Sequence, residues 1–312
     1  MSPVRKVART TVMRTVQYPE LGCRAACRGT ALILLLAPLI AAQSLGQSSS
    51  ESAQDLLRRV VTNELKAEKQ DHSHWNLRLE SQKPNGQIEV DDVIETRDGD
   101  LKWPILINGR KLTVDENRKV AQRIQQLVKN PAPLRKERAQ GDQDATRSQR
   151  LLEMFPDAFR FSYGQRRENL IQLNFLPNPN FHPASHEAEV FHAMEGSIWV
   201  DAKQARLEEI DGRLMHEVKF GGGLLGHLNP GGTFQVKQAN IAPGYWELIQ
   251  LKVQMKGKAL FFKTIGVEQS YTRDNFKPVP DNLTVAQAAE MFKRSNLNPE
   301  QRAKADPSKT SH

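Results

Sequence analysis

Cysteine is nearly absent from this chain of 312 residues, which contains only Cys23 and Cys27. Both precede the apolar run 31–42 (ALILLLAPLIAA), whereas a bacterial lipoprotein carries its modified cysteine just after such a run. Lipidation is therefore not expected. The CxxxC spacing would suggest a metal site only if this segment were retained, and without residues 1–46 the chain has no cysteine and no disulfide.

The sequence also lacks a hydrophobic run long enough to span a bilayer, which takes roughly 20 residues. The run 31–42 is shorter than this and is interrupted by Pro38. It follows six basic residues, namely Arg5, Lys6, Arg9, Arg14, Arg24 and Arg28. This order predicts a cleaved signal peptide over residues 1–46, with a later start at Met13 left open, and a periplasmic or secreted protein without a permanent transmembrane anchor.

A strong excess of one charge is missing from the rest of the chain. The whole sequence has a net charge of +8, but residues 1–46 contain six basic residues and a single acidic residue, Glu20. Their removal leaves a net charge of about +3, so no nucleic-acid partner is needed to explain the composition.

The apolar residues that are present change their period along the chain. Residues 52–70 repeat them with helical spacing after a capping Ser52, which predicts an amphipathic helix. Alternation of apolar and polar residues then predicts strands at 75–80, 87–96 and 101–106, with Pro104 at an edge or a bulge. From 159 to 276 the pattern is almost wholly β, with one face buried and the other wet.

Two helical segments interrupt or follow these strands. Residues 113–153 form a charged, mainly helical insert that begins with a capping box at Thr113 and Glu116. Pro131 and Pro133 end its first helix, and residues 134–150 are polar enough to be an exposed linker or the outer side of a lid. The predicted organisation is a signal peptide (1–46), a β-rich domain (47–283), and a short helix near 284–293 with a polar tail (284–312).

The stretch 196–212 (GSIWVDAKQARLEEIDG) is the clearest hairpin in the sequence. Two amphipathic strands are joined by a tight polar turn, with Asp201 where the first strand stops and Arg206-Leu207 where the second starts. We expect Asp201 and Arg206 to be turn and surface residues without a catalytic role.

Histidines supply one candidate metal site. His182, His186 and His192 occur within HPASHEAEVFH, close to Glu187 and Glu189. Three imidazoles and two carboxylates could bind zinc, but the spacing is not that of HExxH, and a polar loop before the next strand is favoured. The glycine pairs and triplets at 221–223 and 231–232 lie between antiparallel strands, which favours loops or bulges over a nucleotide site.

No nucleophile is recognisable, since a GxSxG motif is absent from the sequence. The adjacent carboxylates Asp91-Asp92 and Glu208-Glu209 would point to opposite faces of their strands and cannot share a proton. We expect them to be solvated. No catalytic residue, metal or cofactor is therefore predicted, and the chain is not expected to be an enzyme.

Aromatic residues are scarce, at 6% of the chain, and supply the remaining candidates. Each could belong to an ordinary core, and the alternative is that several line an apolar cavity between a sheet and a helical lid. The candidates for such a groove are Trp75, Trp103, Phe175, Trp199, Phe234, Trp246 and Phe262.

The motifs together resemble the LolA/LolB/RseB superfamily of periplasmic proteins. The resemblance rests on Trp199-Val200-Asp201, on Arg206-Leu207 followed by Ile210-Asp211-Gly212, and on the late segment GKALFFKTI (257–265). It covers most of residues 52–276, and the charged insert departs from the family pattern. It implies an α+β fold, an incurved and unclosed antiparallel β-barrel with a helical lid, and a concave apolar groove that shelters acyl chains.

Three hypotheses follow. The first is a lipid or lipoprotein carrier that holds acyl chains or a lipidated protein without catalysis. The second is a sensor or scaffold that binds another envelope protein, which the charged insert motivates. The third is a metal-dependent hydrolase using His182, His186 and His192.

Overall fold

The computed structural model describes residues 51–83, 85–259 and 268–296. Its helices are α1 (Ala53–Gln70), α2 (Val114–Lys129), α3 (Ala132–Ala158) and α4 (Val285–Asn296). Its first seven strands are β1 (His74–Gln82), β2 (Ile88–Thr96), β3 (Gly99–Ile107), β4 (Arg110–Lys111), β5 (Phe159–Arg167), β6 (Leu170–Pro177) and β7 (Met194–Asp201). The others are β8 (Arg206–Leu214), β9 (Val218–Phe220), β10 (Gly226–Leu228), β11 (Thr233–Ala242), β12 (Tyr245–Gln254), β13 (Gly257–Ala259) and β14 (Glu268–Val279). Short 3-10 helices cover Glu187–Ala193 and Gly221–Gly223.

Eleven of these strands form one antiparallel sheet in the order β4-β3-β2-β1-β14-β12-β11-β8-β7-β6-β5. Over the described ranges the edge strands β4 and β5 do not pair with each other, so the sheet is not closed into a barrel. Strands β13, β10 and β9 form a second, small sheet. The predicted fold class, an α+β protein built on an unclosed antiparallel barrel, is confirmed.

Helices α2 and α3 connect the two edges of the large sheet. They follow β4 and precede β5, and α3 contacts β3 near one edge and β5 at the other. With 27 residues, α3 is about 40 Å long, which is enough to reach between them. Residues 134–150 are therefore helical and the linker alternative is wrong. Their Arg, Lys, Glu, Gln and Ala residues favour helix even where no apolar face reveals it.

Pro104 lies at an irregularity, as its sequence context predicts. In the register of β2 and β3, Asp91 is opposite Pro104 but the preceding Val90 is opposite Leu106, so β3 has one extra residue there. The neighbouring β4 pairs only with Leu106 and Ile107. Pro104 has no backbone N–H, and at this residue the outer side of β3 has no partner strand that would need one.

Three separate clusters of apolar side chains fill the interior of the described structure. The first joins α1, the end of α3 and β5–β8, and it includes Leu56, Phe175 and Ile198. The second joins β2 and β3 to α2, α3 and α4, with Leu101 and Phe292 among its members. The third is small and consists of buried Trp75, Leu77 and Val93 with four half-buried neighbours.

Helix α1 is fixed to the sheet by a buried ion pair. Glu64 is 7% exposed, and its two carboxylate oxygens accept from Arg206 Nε at 2.8 Å and Nη2 at 3.1 Å. The backbone N–H of Leu207 also donates to Glu64, at 2.7 Å. The prediction that Arg206 is a surface residue is wrong, because its partner lies on a helix 142 residues earlier in the chain. Asp201 is confirmed as a turn residue, since its Oδ1 accepts from the N–H groups of Lys203 and Gln204.

Within the described ranges, no helix has both the length and the apolar composition needed to cross a bilayer.

We expect Glu64→Ala to lower the free energy of unfolding by about 3 kcal/mol, because Arg206 and the Leu207 N–H would stay buried without their partner. Chemical denaturation should show a lower midpoint at an unchanged m-value. The control is Glu68→Ala, one turn further along α1 at an exposed position near its end, with an expected change below about 0.5 kcal/mol. Equal losses in the two variants would contradict the docking role of Glu64.

Two glycines should respond in opposite ways to alanine. A Cβ on Gly212 of β8 would overlap the ring of Phe234 on β11, whereas a Cβ on the exposed Gly141 of α3 would meet no atom within 4 Å. Gly141→Ala should stabilise the protein by about 0.5–1 kcal/mol, and Gly212→Ala should destabilise it by about 1–3 kcal/mol. Unfolding curves measure both changes. A destabilising Gly141→Ala would argue against a continuous α3.

Candidate functional site

An apolar strip crosses the central strands of the large sheet. Val236 of β11 is opposite Leu251 of β12, and Leu251 is opposite Tyr271 of β14. Because side chains alternate between the faces of a strand, these three lie side by side on one face, here called the Leu251 face. All three are half-buried, and none belongs to the three apolar clusters of the described residues.

The helices leave this apolar strip uncovered. Helix α1 packs against β5 and β8, while α2, α3 and α4 pack against β3 and, for α4, also β2. In the described part of the chain, no helix makes an extensive contact with β11, β12 or β14. The strip therefore lies between the first cluster on one side and the third cluster on the other, without a helix of the described residues packed on it.

Two polar side chains lie at the β1 end of the apolar strip. Ser81 is opposite Tyr271, and Asp91 of β2 is opposite Leu79, which places Asp91 diagonal to Ser81 on the same face. Ser81 Oγ and Asp91 Oδ1 are buried without a hydrogen-bond partner, and no other side-chain atom of the described residues shares this condition. Leaving such an atom unpaired costs about 1–3 kcal/mol.

The environment of Asp91 is apolar enough to change its titration. The residue is 3% exposed, and burial raises the pKa of Asp91 to about 6. The Glu89 carboxylate adds to the rise, while Lys83, Lys102 and Arg123 oppose it. The prediction that Asp91 is solvated is therefore wrong.

A second group of charges is buried further along the Leu251 face. Arg273 Nη2 lies 2.7 Å from Glu95 Oε1, and Arg273 Nη1 lies 3.5 Å from Glu247 Oε2. Trp75 donates its backbone N–H to Glu95 at 2.9 Å and its indole N–H to Glu247 at 2.9 Å. Arg273 thus pairs with two carboxylates. Arg273, Glu95 and Glu247 are here called the charge network.

Burial decides the titration of the charge network. It raises the pKa of Glu95 to about 7 although Arg273 opposes the shift, and it also raises the pKa of Glu247. Asp71 and Glu68 at the end of α1 add to the rise at Glu247. The Glu95 carboxyl therefore titrates near neutral pH, where a solvated carboxylate would be ionised.

The charge network borders a cleft of about 1340 Å³ between the end of α1 and the ends of β1, β12 and β14. Trp75 forms edge-to-face contacts there with Tyr245 at 5.6 Å and with Phe276 at 6.0 Å between ring centroids. The Arg206 guanidinium lies 5.4 Å from the ring of Trp246. Charged side chains such as Glu247 and Arg273 line this aromatic cleft together with the rings, so the cleft differs from the apolar strip.

The opposite face of the sheet carries a second groove of about 980 Å³, here called the Lys252 groove. Apolar residues, among them Phe161, Phe175, Leu176 and Phe234, line it together with polar side chains. Asn174, Ser197, Asp211, Gln235 and Lys252 form one cross-strand row along it. This row supplies hydrogen-bonding groups along the groove, and the apolar residues complete its wall.

Two carboxylates two residues apart on β8, those of Glu209 and Asp211, lie on this face of the sheet and are joined by Gln235. Gln235 Nε2 donates to Glu209 at 2.9 Å and to Asp211 at 2.8 Å. Burial and the neighbouring Glu209 raise the pKa of Asp211. Burial works against ionisation of Glu209 too, but hydrogen bonds from Lys237, Asp211 and Gln235 hold its pKa below the usual value.

The structure distributes the predicted groove residues over several environments. Trp75 and Trp246 border the aromatic cleft, while Phe175 and Phe234 border the Lys252 groove and also belong to or pack on the first cluster. Phe262 lies outside the described residues. The described candidates do not form one common lining.

The two remaining tryptophans are packed elsewhere. Trp103 lies against Phe292 of α4, 5.8 Å between ring centroids, in the second cluster. Trp199 is buried beneath the guanidinium of Arg167, which lies 4.4 Å from its ring. Neither faces the apolar strip.

The three candidate zinc histidines are not brought together. His186 Nδ1 is 2.6 Å from Glu189 Oε1, His182 Nδ1 is 3.0 Å from the carbonyl oxygen of Asn180, and the His192 ring lies against Phe181. No group of three or more His, Cys, Asp or Glu side chains in the described ranges is arranged to hold a metal ion. The hydrolase hypothesis thus has no geometric support from these residues.

Sequence reasoning missed Asp91, Glu95, Glu247 and Arg273. The available signal was the phase of β1, in which Trp75, Leu77 and Leu79 mark the buried face and Ser81 continues it. Pairing β1 with β2 in that phase would have placed Glu95 and Asp91 on the same face.

No family model, curated protein or solved structure matches this chain.

The pKa of Glu95 predicts how stability varies with pH. The folded state raises it from 4.5 to about 7, so the stability associated with the bound proton is present below pH 4.5 and is lost as the pH rises to about 7. Glu95→Gln should remove this loss. Between pH 5 and pH 8, the free energy of unfolding of the variant should therefore rise relative to that of the wild type by up to about 3 kcal/mol. Denaturation at the two pH values measures the gain. Glu80→Gln, exposed on the neighbouring strand β1, is the control, and a Glu95→Gln profile parallel to the wild type would contradict the assignment.

Proposed function

We propose that this protein is an exported, carrier-like protein that binds acyl chains of a lipid or of a lipidated protein without catalysis. The apolar strip of Val236, Leu251 and Tyr271 is the observation that supports this proposal most directly. An acyl chain lying on the strip would complete the packing that the helices leave open. The family resemblance of the hairpin motifs supports the same ligand class, and the basic and apolar order of residues 1–46 supports export.

The energetics of such binding are favourable without any reaction. Each methylene group removed from water contributes about 0.8 kcal/mol, so burial of about ten methylenes contributes roughly 8 kcal/mol. Loss of translational freedom and of chain flexibility offsets part of this gain. The balance is compatible with micromolar binding and with release to a partner that covers the acyl chain better.

The alternatives receive less support from specific contacts. The candidate zinc ligands lie apart, and the exposed side of α3 has no feature that identifies a protein partner. The apolar strip is by contrast a defined set of neighbouring side chains. It therefore carries the proposal.

Leu251→Gln should weaken binding of a neutral fluorescent acyl probe, such as a pyrene-labelled monoacylglycerol, by at least about tenfold. The substitution places a polar amide in the middle of the apolar strip, and fluorescence titration measures the dissociation constant. Circular dichroism should show that the variant keeps its fold.

The matched control is Lys252→Gln, which puts the same side chain on the next residue of β12 and on the opposite face. We expect its dissociation constant to stay within about twofold of the wild type. Equal weakening by both variants, or failure of the wild type to bind any acyl probe, would rule out the apolar strip as the binding surface.

A further inference from the structure

Ser81 and Asp91 are unusual among the polar side chains of this structure. Elsewhere buried carboxylates are well satisfied, as Glu64 is by Arg206 and by the Leu207 N–H. Ser81 Oγ and Asp91 Oδ1 are buried and have no partner in the described residues, and they are diagonal neighbours on β1 and β2. Two unpaired atoms at one place leave hydrogen-bonding capacity for a group other than the described residues.

The position of these atoms connects them to the apolar strip. Ser81 is opposite Tyr271, so Ser81, Tyr271, Leu251 and Val236 form one row across four strands. The row runs from a hydroxyl beside a carboxylate to purely apolar side chains. A molecule that matches it is an amphiphile with its polar end at β1 and its apolar tail toward β11.

The chemistry of the two side chains limits the polar end. An ionised carboxylate only accepts hydrogen bonds, and a serine hydroxyl can both accept and donate, so the ligand has to supply at least one donor. An anionic head group would be repelled by Asp91 and by Glu89, which lies opposite Ser81 on β2.

A cationic head group is not required by the local charges. Asp91 is already faced by Lys83 from the end of β1, by Lys102 from β3 and by Arg123 from α2. Lys83 pairs with Glu89 at 2.8 Å, and Lys102 pairs with Glu137 of α3 at 3.0 Å. With these charges in place, a neutral donor such as a hydroxyl group fits best.

We infer that Ser81 and Asp91 form a head-group subsite that selects amphiphiles with a neutral, hydroxyl-bearing head, such as a monoacylglycerol, over free fatty acids of the same chain length. The inference rests on the proposed acyl-binding function and adds the class of head group. The head's hydroxyl donates to Asp91 and exchanges a hydrogen bond with Ser81, while the tail lies on Val236, Leu251 and Tyr271.

Competition against the pyrene-labelled monoacylglycerol tests the subsite, with monopalmitoylglycerol and palmitate as competitors at pH 7.5. We expect the wild-type protein to prefer monopalmitoylglycerol by about tenfold or more. Asp91→Asn keeps an acceptor and removes the charge, so palmitate affinity should rise by about tenfold while monopalmitoylglycerol affinity changes by less than about threefold. Ser81→Ala should weaken only monopalmitoylglycerol, by about three- to tenfold.

Asp92→Asn provides the matched control, because Asp92 is the next residue of β2, faces the opposite side and pairs with Arg78 at 3.2 Å. It should leave the preference unchanged. Equal wild-type affinities for the two competitors, or a preference that survives Asp91→Asn, would overturn the subsite alone and indicate that trapped water satisfies the two atoms. Failure of the wild type to bind either competitor or the probe would overturn the subsite together with the proposed function.

Discussion

The docking of α1 through Glu64 and Arg206 determines which part of the sheet is covered. An 18-residue helix is about 27 Å long, whereas eleven strands at about 4.8 Å extend over nearly 50 Å. One helix cannot cover such a sheet, so the place where it is anchored decides what stays open. Because Arg206 and Leu207 begin β8, α1 lies over β5–β8, and the centre of the sheet is left to other contacts.

The connection between the two edge strands imposes the second constraint. An open sheet presents unpaired backbone groups at its edges, which favours aggregation unless those edges are short or covered. Here β4 has only two residues, Pro104 removes a donor from β3, and α3 runs from β3 to β5. The charged segment between β4 and β5 is therefore part of the architecture. It protects both edges and leaves the sheet unclosed.

The sequence predicts the parts of this fold that depend on local periodicity. The helix at 52–70, the capping box at Thr113 and the turn at Asp201 are local features, and the structure confirms them. Asp91 and Glu95 were not predictable in the same way, because β2 is buried on both faces and its sequence, IEVDDVIET, does not reveal which phase faces which cluster. The burial of Arg206 is not predictable for a related reason, since its partner Glu64 is distant in sequence. Long-range pairing, and not composition, determines the environment of each of these charged side chains.

The contrast between satisfied and unsatisfied polar groups separates scaffold from candidate site. At the flanks, buried polar atoms have partners from the chain itself, and Glu64 alone accepts three hydrogen bonds. At the β1 end of the apolar strip, Ser81 Oγ and Asp91 Oδ1 lack partners among the described residues, while the adjoining apolar side chains are only half-buried. Both deficiencies, one polar and one apolar, occur in the same cross-strand row. Selection for stability alone would favour an apolar residue at position 91, because replacing a desolvated charge by a packed apolar group is neutral or stabilising. The amphiphilic ligand that we propose would supply the missing hydrogen bonds and the missing apolar contacts together.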